Sequence, residues 1–280
     1  MGQSRDRAGP REDGALMLTL AGITKRFHPG TVSEVLALDE VNLDIRQGDF
    51  ITVIGSNGAG KSTTLNCVAG CFFPDKGRIC LDGRDVTSWP EHKRARFIGR
   101  VFQDPLMGSA ASLSIEENMA LADRRGKGRG LSIGVKSRDR ERYRELLSRI
   151  GLGLEERLKD KVGLLSGGQR QSLTMVMATM VRPEILLLDE HTAALDPKTA
   201  GHVLELTRKL VESGKLTTLM VTHNMNHALK LGNRLIMMHQ GRVILDISGE
   251  RKSGFTVEDL LERFYTLRGE AFSSDKMLLV

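Results

Sequence analysis

Nine residues, Gly55 to Thr63 (GSNGAGKST), constrain this 280-residue chain more than any other stretch. They fit G-x-x-x-x-G-K-[ST] without a mismatch, follow the apolar run Phe50–Ile54 and lead into a helical segment over Lys61–Gly70. The glycines let the backbone curl so that successive N–H groups aim at one anion, and the helix N-terminus favours the same charge. Lys61 then supplies a cation for the β- and γ-phosphates of a nucleotide, and Ser62 offers a hydroxyl to Mg²⁺. The candidate nucleotide-binding residues are Gly55, Ser56, Asn57, Gly58, Ala59, Gly60, Lys61, Ser62 and Thr63.

A phosphate loop needs a metal ligand at a neighbouring strand end. ILLLDEHTAALDP, Ile185–Pro197, offers one. Its first four residues are apolar, as in a parallel strand buried on both faces, and Asp189 and Glu190 emerge at the carboxyl end, where open α/β sheets place ligands. Asp189 is the candidate Mg²⁺ ligand, and Glu190 is placed to activate a water as general base or by orienting it. Asp196-Pro197 reads as a helix start.

The rest of the chain suits that reading. Strand-like runs at Leu16–Leu20, Val41–Ile45, Phe50–Ile54, Gly77–Leu81 and Ile98–Phe102 precede a polar, helical stretch containing SIEENMALA and RERYRELLSRIGL. Strands and helices then alternate through Ile185–Leu188, Pro197–Glu212, Thr217–Thr222 and Met225–Leu231, before a hairpin-like pair, Arg234–His239 and Arg242–Ile247, across Gln240-Gly241. The final helix, TVEDLLERFYTL, has Thr256 as its cap. This pattern predicts an α/β fold with a mostly parallel sheet, an antiparallel portion and an inserted helical subdomain. The expected divisions are a disordered tail over 1–14, an ATP-binding core over 15–104 and 162–250, a helical subdomain over 105–161 and a helical extension over 251–280.

Composition excludes little. A net charge of +6 permits an anionic ligand, an acidic membrane or nucleic acid. Cys67, Cys71 and Cys80 lack zinc-like spacing and read as small core residues. Met175, Met177, Met180, Met220, Met237 and Met238 read as core filler. No apolar run approaches the ~18 residues of a membrane helix, and the N-terminal tail is not of signal-peptide kind. A cytoplasmic chain is expected, with any membrane role exercised through a partner.

LSGGQ, Leu165–Gln169, places a hydroxyl and two glycines at a helix start, a second anion site. With the phosphate loop and the Asp-Glu pair, it makes the chain resemble the ATP-binding subunit of ATP-binding-cassette (ABC) transporters over roughly Leu16 to Gly249. The resemblance implies a P-loop NTPase (RecA-like) fold, with Gly55–Thr63 as the Walker A loop and Ile185–Glu190 as the Walker B strand. Ser166, Gly167, Gly168 and Gln169 match the signature loop. Gln103, in RVFQDP, matches the Q-loop glutamine that senses Mg²⁺, Asp196 the D-loop, and His223, in MVTHN, the switch histidine near the γ-phosphate. His227, one helical turn later, is the competing histidine. Phe27 stands where the family stacks an aromatic, more often tyrosine, on adenine.

The same resemblance implies two ATP molecules, each with Mg²⁺, sandwiched in a head-to-tail dimer of two copies, with a groove near Gln103–Met119 passing motion to an integral membrane permease. DEHTAALDP and VFQDPLMGSAASLSIEENMALA resemble one bacterial importer subgroup whose operons encode a binding lipoprotein and a branched-chain-amino-acid-like permease. An extracytoplasmic solute-binding protein is therefore expected, with location at the cytoplasmic face of the inner membrane. His191 replaces the family's usual proline. It reads as a loop residue or subgroup marker, with an extra base near Glu190 as the competing reading. A regulatory or assembly ATPase of the family is the alternative function. A nucleic-acid-linked role would lean on the basic stretches DRRGKGRG and RDRER; no nucleic acid is expected as a partner.

Overall fold

The computed structural model describes residues 14–127 and 134–268. Apart from Gly14 the expected N-terminal tail lies outside these residues, as do residues 128–130 of the basic loop and 269–280 of the C-terminal extension. In chain order the elements are β1 (Leu16–Phe27), β2 (Val35–Arg46), β3 (Phe50–Gly55), α1 (Lys61–Ala69), β4 (Lys76–Leu81), β5 (Arg84–Asp85), α2 (Glu91–Arg94) and β6 (Ile98–Val101). Then follow α3 (Ile115–Asp123), α4 (Ser137–Ser148), α5 (Gly167–Thr179), β7 (Ile185–Asp189), α6 (Pro197–Gly214) and β8 (Thr218–Val221). The last are α7 (Met225–Lys230), β9 (Arg234–His239), β10 (Arg242–Ser248), α8 (Glu250–Ser253) and α9 (Val257–Arg268). They gather into two compact units, one of residues up to 67, 72–87 and from 221, the other of 68–71 and 88–220.

The first unit holds an antiparallel sheet in the order β2-β1-β4-β5 and the strands β10-β9-β3. β1 alternates, sending Leu18 and Leu20 inward opposite Ile45 and Leu43. It runs on to Phe27, beyond the Leu16–Leu20 expected from sequence. Gly22 sits at φ +63° where the register slips between Leu20 and Ile23, so it forms a bulge within the strand. β3 is buried from Phe50 to Ile54 and pairs in parallel with β9. β9 and β10 are joined through Gln240 (φ +46°) and Gly241 (φ +75°), the two left-handed residues of a tight hairpin whose twist matches its strands. Ile54, Leu235, Met237, Ile247 and Leu260 of α9 share one apolar core, at about 1.5–3 kcal/mol for each fully buried side chain.

The second unit holds β8-β7-β6, with β6 and β7 parallel in the register Ile98↔Ile185 to Val101↔Leu188. Ile185, Leu186, Leu187 and Leu188 have no exposed surface, as a strand covered on both faces requires. α6 starts at Asp196, whose carboxylate accepts the Thr199 N–H with Pro197 following, and it buries Val203, Leu206 and Val211. α3 starts with a reciprocal capping box between Ser114 and Glu117. Met175, Met220, Met237 and Met238 are buried, while Met177 and Met180 are half-buried. Among the described residues no helix is long and apolar enough to cross a membrane.

Arg234 ties three strands of the first unit together. Only 3 % of its side chain is exposed; Nε donates to Asp246 at 2.7 Å, Nη2 also reaches Asp246, and Nη1 donates to the Asp44 carbonyl at 2.6 Å. Removing one member of such a buried pair strands the other. Arg234→Ala is expected to cost about 3–5 kcal/mol in urea unfolding; a loss below about 1 kcal/mol, the size of an exposed pair, would show that the network carries little.

Candidate functional site

In the first unit, β3 delivers the loop that opens α1. Gly55, Gly58 and Gly60 take φ of +150°, +76° and +99°. A Cβ on Gly55 would lie 2.2 Å from the Met238 carbonyl oxygen, and one on Gly60 2.7 Å from that of Ala37, so neither position admits a side chain. Gly58 faces open space. Lys61 is buried, and its ammonium donates back to the carbonyls of Gly55 (2.8 Å) and Ser56 (2.9 Å), which holds a cation over the curled loop. Asn57 and Ser62 are exposed, Ser56 and Thr63 half-buried, and Ala59 buried.

His223 follows β8 and is exposed beside the same loop. It lines a small cavity of 60 Å³ with Ser56, Asn57, Met225, Phe264 and Tyr265. His227 is absent from that lining; burial, and then the charge of Lys230, push its imidazole toward the neutral form. Phe27 is half-buried and meets Phe72 edge to face, with ring centroids 5.2 Å apart.

In the second unit, β7 ends on Asp189 and Glu190 as its burial pattern predicts. The Asp189 carboxylate lies 3.7 Å from the Arg100 guanidinium. Arg100 in turn donates to Cys71 Sγ at 3.1 Å and covers the Phe102 ring at 4.5 Å. Glu190 has φ +45°, a left-handed backbone uncommon for a residue other than glycine. Its carbonyl accepts the Ala193 N–H at 2.9 Å, closing the turn. Gln103 is exposed just beyond β6.

Ser166 caps α5. Its hydroxyl accepts the Gln169 N–H, and the Gln169 side chain accepts the Ser166 N–H. Gly168 is required by close packing, since a Cβ there would meet Thr199 Cγ2 at 2.0 Å, and Gly167 is exposed. Arg170 braces the approach by donating to the carbonyls of Val162, Gly163 and Leu165. Asp196 is exposed, and its cap bonds to Thr199 hold its carboxyl below the usual range.

Two features of the second unit were not visible in the sequence. His191 is buried: its Nε2 lies 3.0 Å from Thr207 Oγ1, whose proton goes to the Val203 carbonyl, so the imidazole Nε2 is the donor. Gln171 is also wholly buried, with its amide nitrogen on the carbonyls of Phe102 (3.0 Å) and His191 (2.7 Å), while its Oε1 has no partner among the described residues. Such an unmet acceptor costs about 1–3 kcal/mol. The one available signal was Gln171's place on the apolar stripe of α5, three residues after Gly168 and four before Met175.

An open cleft of 1100 Å³ also lies in the second unit, lined by Trp89, Phe97, Leu113, Leu121, Arg124 and Arg125 among others. It meets the expected Gln103–Met119 groove only around Leu113 and Glu117.

The loop fits a nucleotide polyphosphate: a glycine-cleared cradle, a helix start and a captive ammonium are what a multiply charged anion needs. The donor set also fits Mg²⁺, which is content with a hydroxyl, one carboxylate and phosphate oxygens. Among the described residues no three His, Cys, Asp or Glu side chains gather as a metal cage. Strand, curled loop and lysine-led helix together define a P-loop nucleotide hydrolase.

Comparison with known proteins makes this class specific. The family model described as "ABC transporter" matches residues 38–193, more than half of the chain. The chain is 45% identical over 253 residues to a tyrosine transport ATP-binding protein of Clostridioides difficile, which covers 89% of this chain and 98% of that one. It is 33% identical to the energy-coupling factor transporter ATP-binding protein EcfA2 of Clostridium tetani, over 88% of this chain and 83% of that one. Among solved structures, the dimeric post-hydrolysis form of the ATP-binding cassette MJ0796, bound to ADP and Pi, superposes with a TM-score of 0.71 at 33% identity, over 85% of this chain and all of that one. The chain belongs to the ABC transporter family; it is an ATP-binding, ATP-hydrolysing subunit with the α/β cassette fold expected from its sequence.

His191 is buried and its Nε2 is engaged by Thr207, which suits a loop residue better than an extra base. His191→Pro is expected to leave steady-state ATPase activity within a few-fold of wild type. A loss as deep as that of Glu190→Gln would restore the base reading.

Proposed function

We propose that this chain is the motor of a bacterial importer, working as a head-to-tail pair of copies around two ATP molecules. One observation carries the reading: the Gly55–Thr63 loop, curled by its glycines around the Lys61 ammonium at the head of α1. Lys61 neutralises the β- and γ-phosphates, and the N–H groups of Ser56 to Thr63 line the cradle. Phe27 stacks on the adenine. Ser62, Asp189 and Gln103 hold Mg²⁺, which when bound supplies charge neutralisation of the phosphates. Glu190 orients and deprotonates the attacking water, while His223 donates to the γ-phosphate. Ser166 to Gln169, with Ser166 and Gly167 exposed at the start of α5, offer the partner copy's nucleotide a second anion site, and Asp196 serves as the D-loop residue. The dimeric form described for MJ0796 supports this pairing.

The expected divisions serve as the working map: tail 1–14, core 15–104 and 162–250, helical subdomain 105–161 and extension 251–280. Motion passes to a separate integral membrane permease through the open cleft of the second unit, whose apolar floor and cationic rim suit a short helical segment. The chain sits at the cytoplasmic face of the membrane, held there by the permease. Cargo is a small amino-acid-like solute delivered by an extracytoplasmic binding lipoprotein to a branched-chain-amino-acid-like permease. Support comes from the tyrosine transport relative and from the subgroup likeness of DEHTAALDP.

Lys61→Ala is expected to weaken ATP binding roughly 100-fold, equivalent to about 3 kcal/mol, measured with a fluorescent ATP analogue. Glu190→Gln is expected to bind ATP normally, lose turnover by roughly 100-fold or more and accumulate as a closed dimer on size exclusion. Near-normal turnover in that variant would remove Glu190 from its role. For the partner, Glu190→Gln is to be captured from detergent-solubilised native membranes with Mg-ATP and its companions identified by mass spectrometry. A polytopic permease supports the transporter reading; recovery of only soluble proteins or nucleic acid, with a control transporter working, overturns it.

A further inference from the structure

Gln171 lies on α5, five residues after Ser166, so its side chain leaves the helix about 7.5 Å along the axis from the signature serine. It has no exposed surface. Both partners of its amide nitrogen are carbonyl oxygens, so that atom must be the NH₂ group and the amide orientation follows. Those two carbonyls are not ordinary ones. Phe102 immediately precedes Gln103, and His191 immediately follows Glu190. A single planar NH₂ group therefore spans the chain segments that present the Q-loop glutamine and the water-activating carboxylate.

Other features assign this contact more than a packing role. Glu190 holds a left-handed backbone, which needs enforcement from its neighbours, and His191 is fixed on both sides, its carbonyl by Gln171 and its ring by Thr207. Gln171 Oε1 is buried without a hydrogen-bond partner among the described residues. An apolar side chain of the same length would fill the space without that penalty, so the position is occupied by glutamine in spite of its acceptor and on account of its donors. We propose that Gln171 is a positioning residue for ATP hydrolysis, locking the backbone beside Glu190 and beside Gln103 to the helix that carries the signature loop. Any shift of α5 as Ser166 engages a nucleotide then reaches both residues together. The inference rests on the hydrolytic roles proposed above for Glu190 and Gln103.

The test compares Gln171→Met, which keeps the volume and loses both donors, with Gln171→Glu, which turns an acceptor toward the two carbonyls. For each, ATP affinity from the fluorescent analogue, kcat and melting temperature are measured beside wild type and Glu190→Gln. Both variants are expected to bind ATP within about threefold of wild type while kcat falls at least tenfold. A Gln171→Met enzyme within threefold of wild-type kcat would show that volume, not hydrogen bonding, matters there, and the proposal would fall. Parallel loss of affinity and turnover, with a collapsed melting transition, would equally count against it as general unfolding. Retained turnover in Glu190→Gln signals failure of the underlying reading instead. A second measurement needs no variant. In wild-type protein the side-chain NH₂ protons of Gln171 should exchange with solvent far more slowly than those of exposed Gln240, and equal rates would overturn the clamp.

Discussion

A strand covered on both faces can offer a polar side chain only where it ends, and this constraint organises the chemistry of the chain. β3, β6, β7 and β8 are short and largely buried, and each hands over to a motif residue at its carboxyl end. β3 releases the phosphate loop, β6 Gln103, β7 Asp189 and Glu190, and β8 His223. The phosphate loop, Gln103, Asp189, Glu190 and His223 thus reach their places at or beyond strand ends rather than mid-strand.

Backbone conformation sets the second layer. At Gly55 and Gly60 the main chain passes so close to the carbonyls of Met238 and Ala37 that only hydrogen fits. The loop is therefore shaped by its contacts before any anion arrives, which is the pre-organisation that phosphate binding exploits. At Glu190 the opposite choice was made: a full side chain sits in a left-handed conformation, and neighbouring contacts bear the strain.

Most of the fold could be read from the sequence because its elements are tied to local pattern. Continuous apolar runs gave β3 and β7, the helical period gave α3 and α4, and Asp196-Pro197 gave the start of α6 within a residue. The helical cap at Thr256 was equally local, its hydroxyl accepting the Asp259 N–H. What escaped depends on distant partners. β1 continues past Gly22 because both flanking strands follow the bulge, and no window of sequence contains all three. The open cleft of the second unit could not be read either, because it is built from Trp89–Phe97 as well as from α3, segments about twenty residues apart. The burial of Gln171 and His191 likewise depends on partners remote in sequence, Phe102 for the one and Thr207 for the other.

Those buried polar residues explain why the region around Glu190 is not simply an oily core. Apolar packing has no preferred bonding direction, so it fixes volume better than it fixes the orientation of a particular peptide group. A hydrogen bond from a fixed donor to a particular carbonyl is directional, and in a buried setting its loss leaves groups that water cannot reach. His191 on Thr207 and Gln171 on two carbonyls thus specify one backbone arrangement at a point where Glu190 would otherwise relax to a right-handed conformation. Arg100 applies the same logic to Asp189, standing within 3.7 Å of its carboxylate while anchored on Cys71 and Phe102. The side chains proposed to touch nucleotide range from the buried Lys61 and Glu190 to the exposed Ser62 and His223, and around Glu190 and Asp189 they stand beside buried neighbours with defined bonding directions.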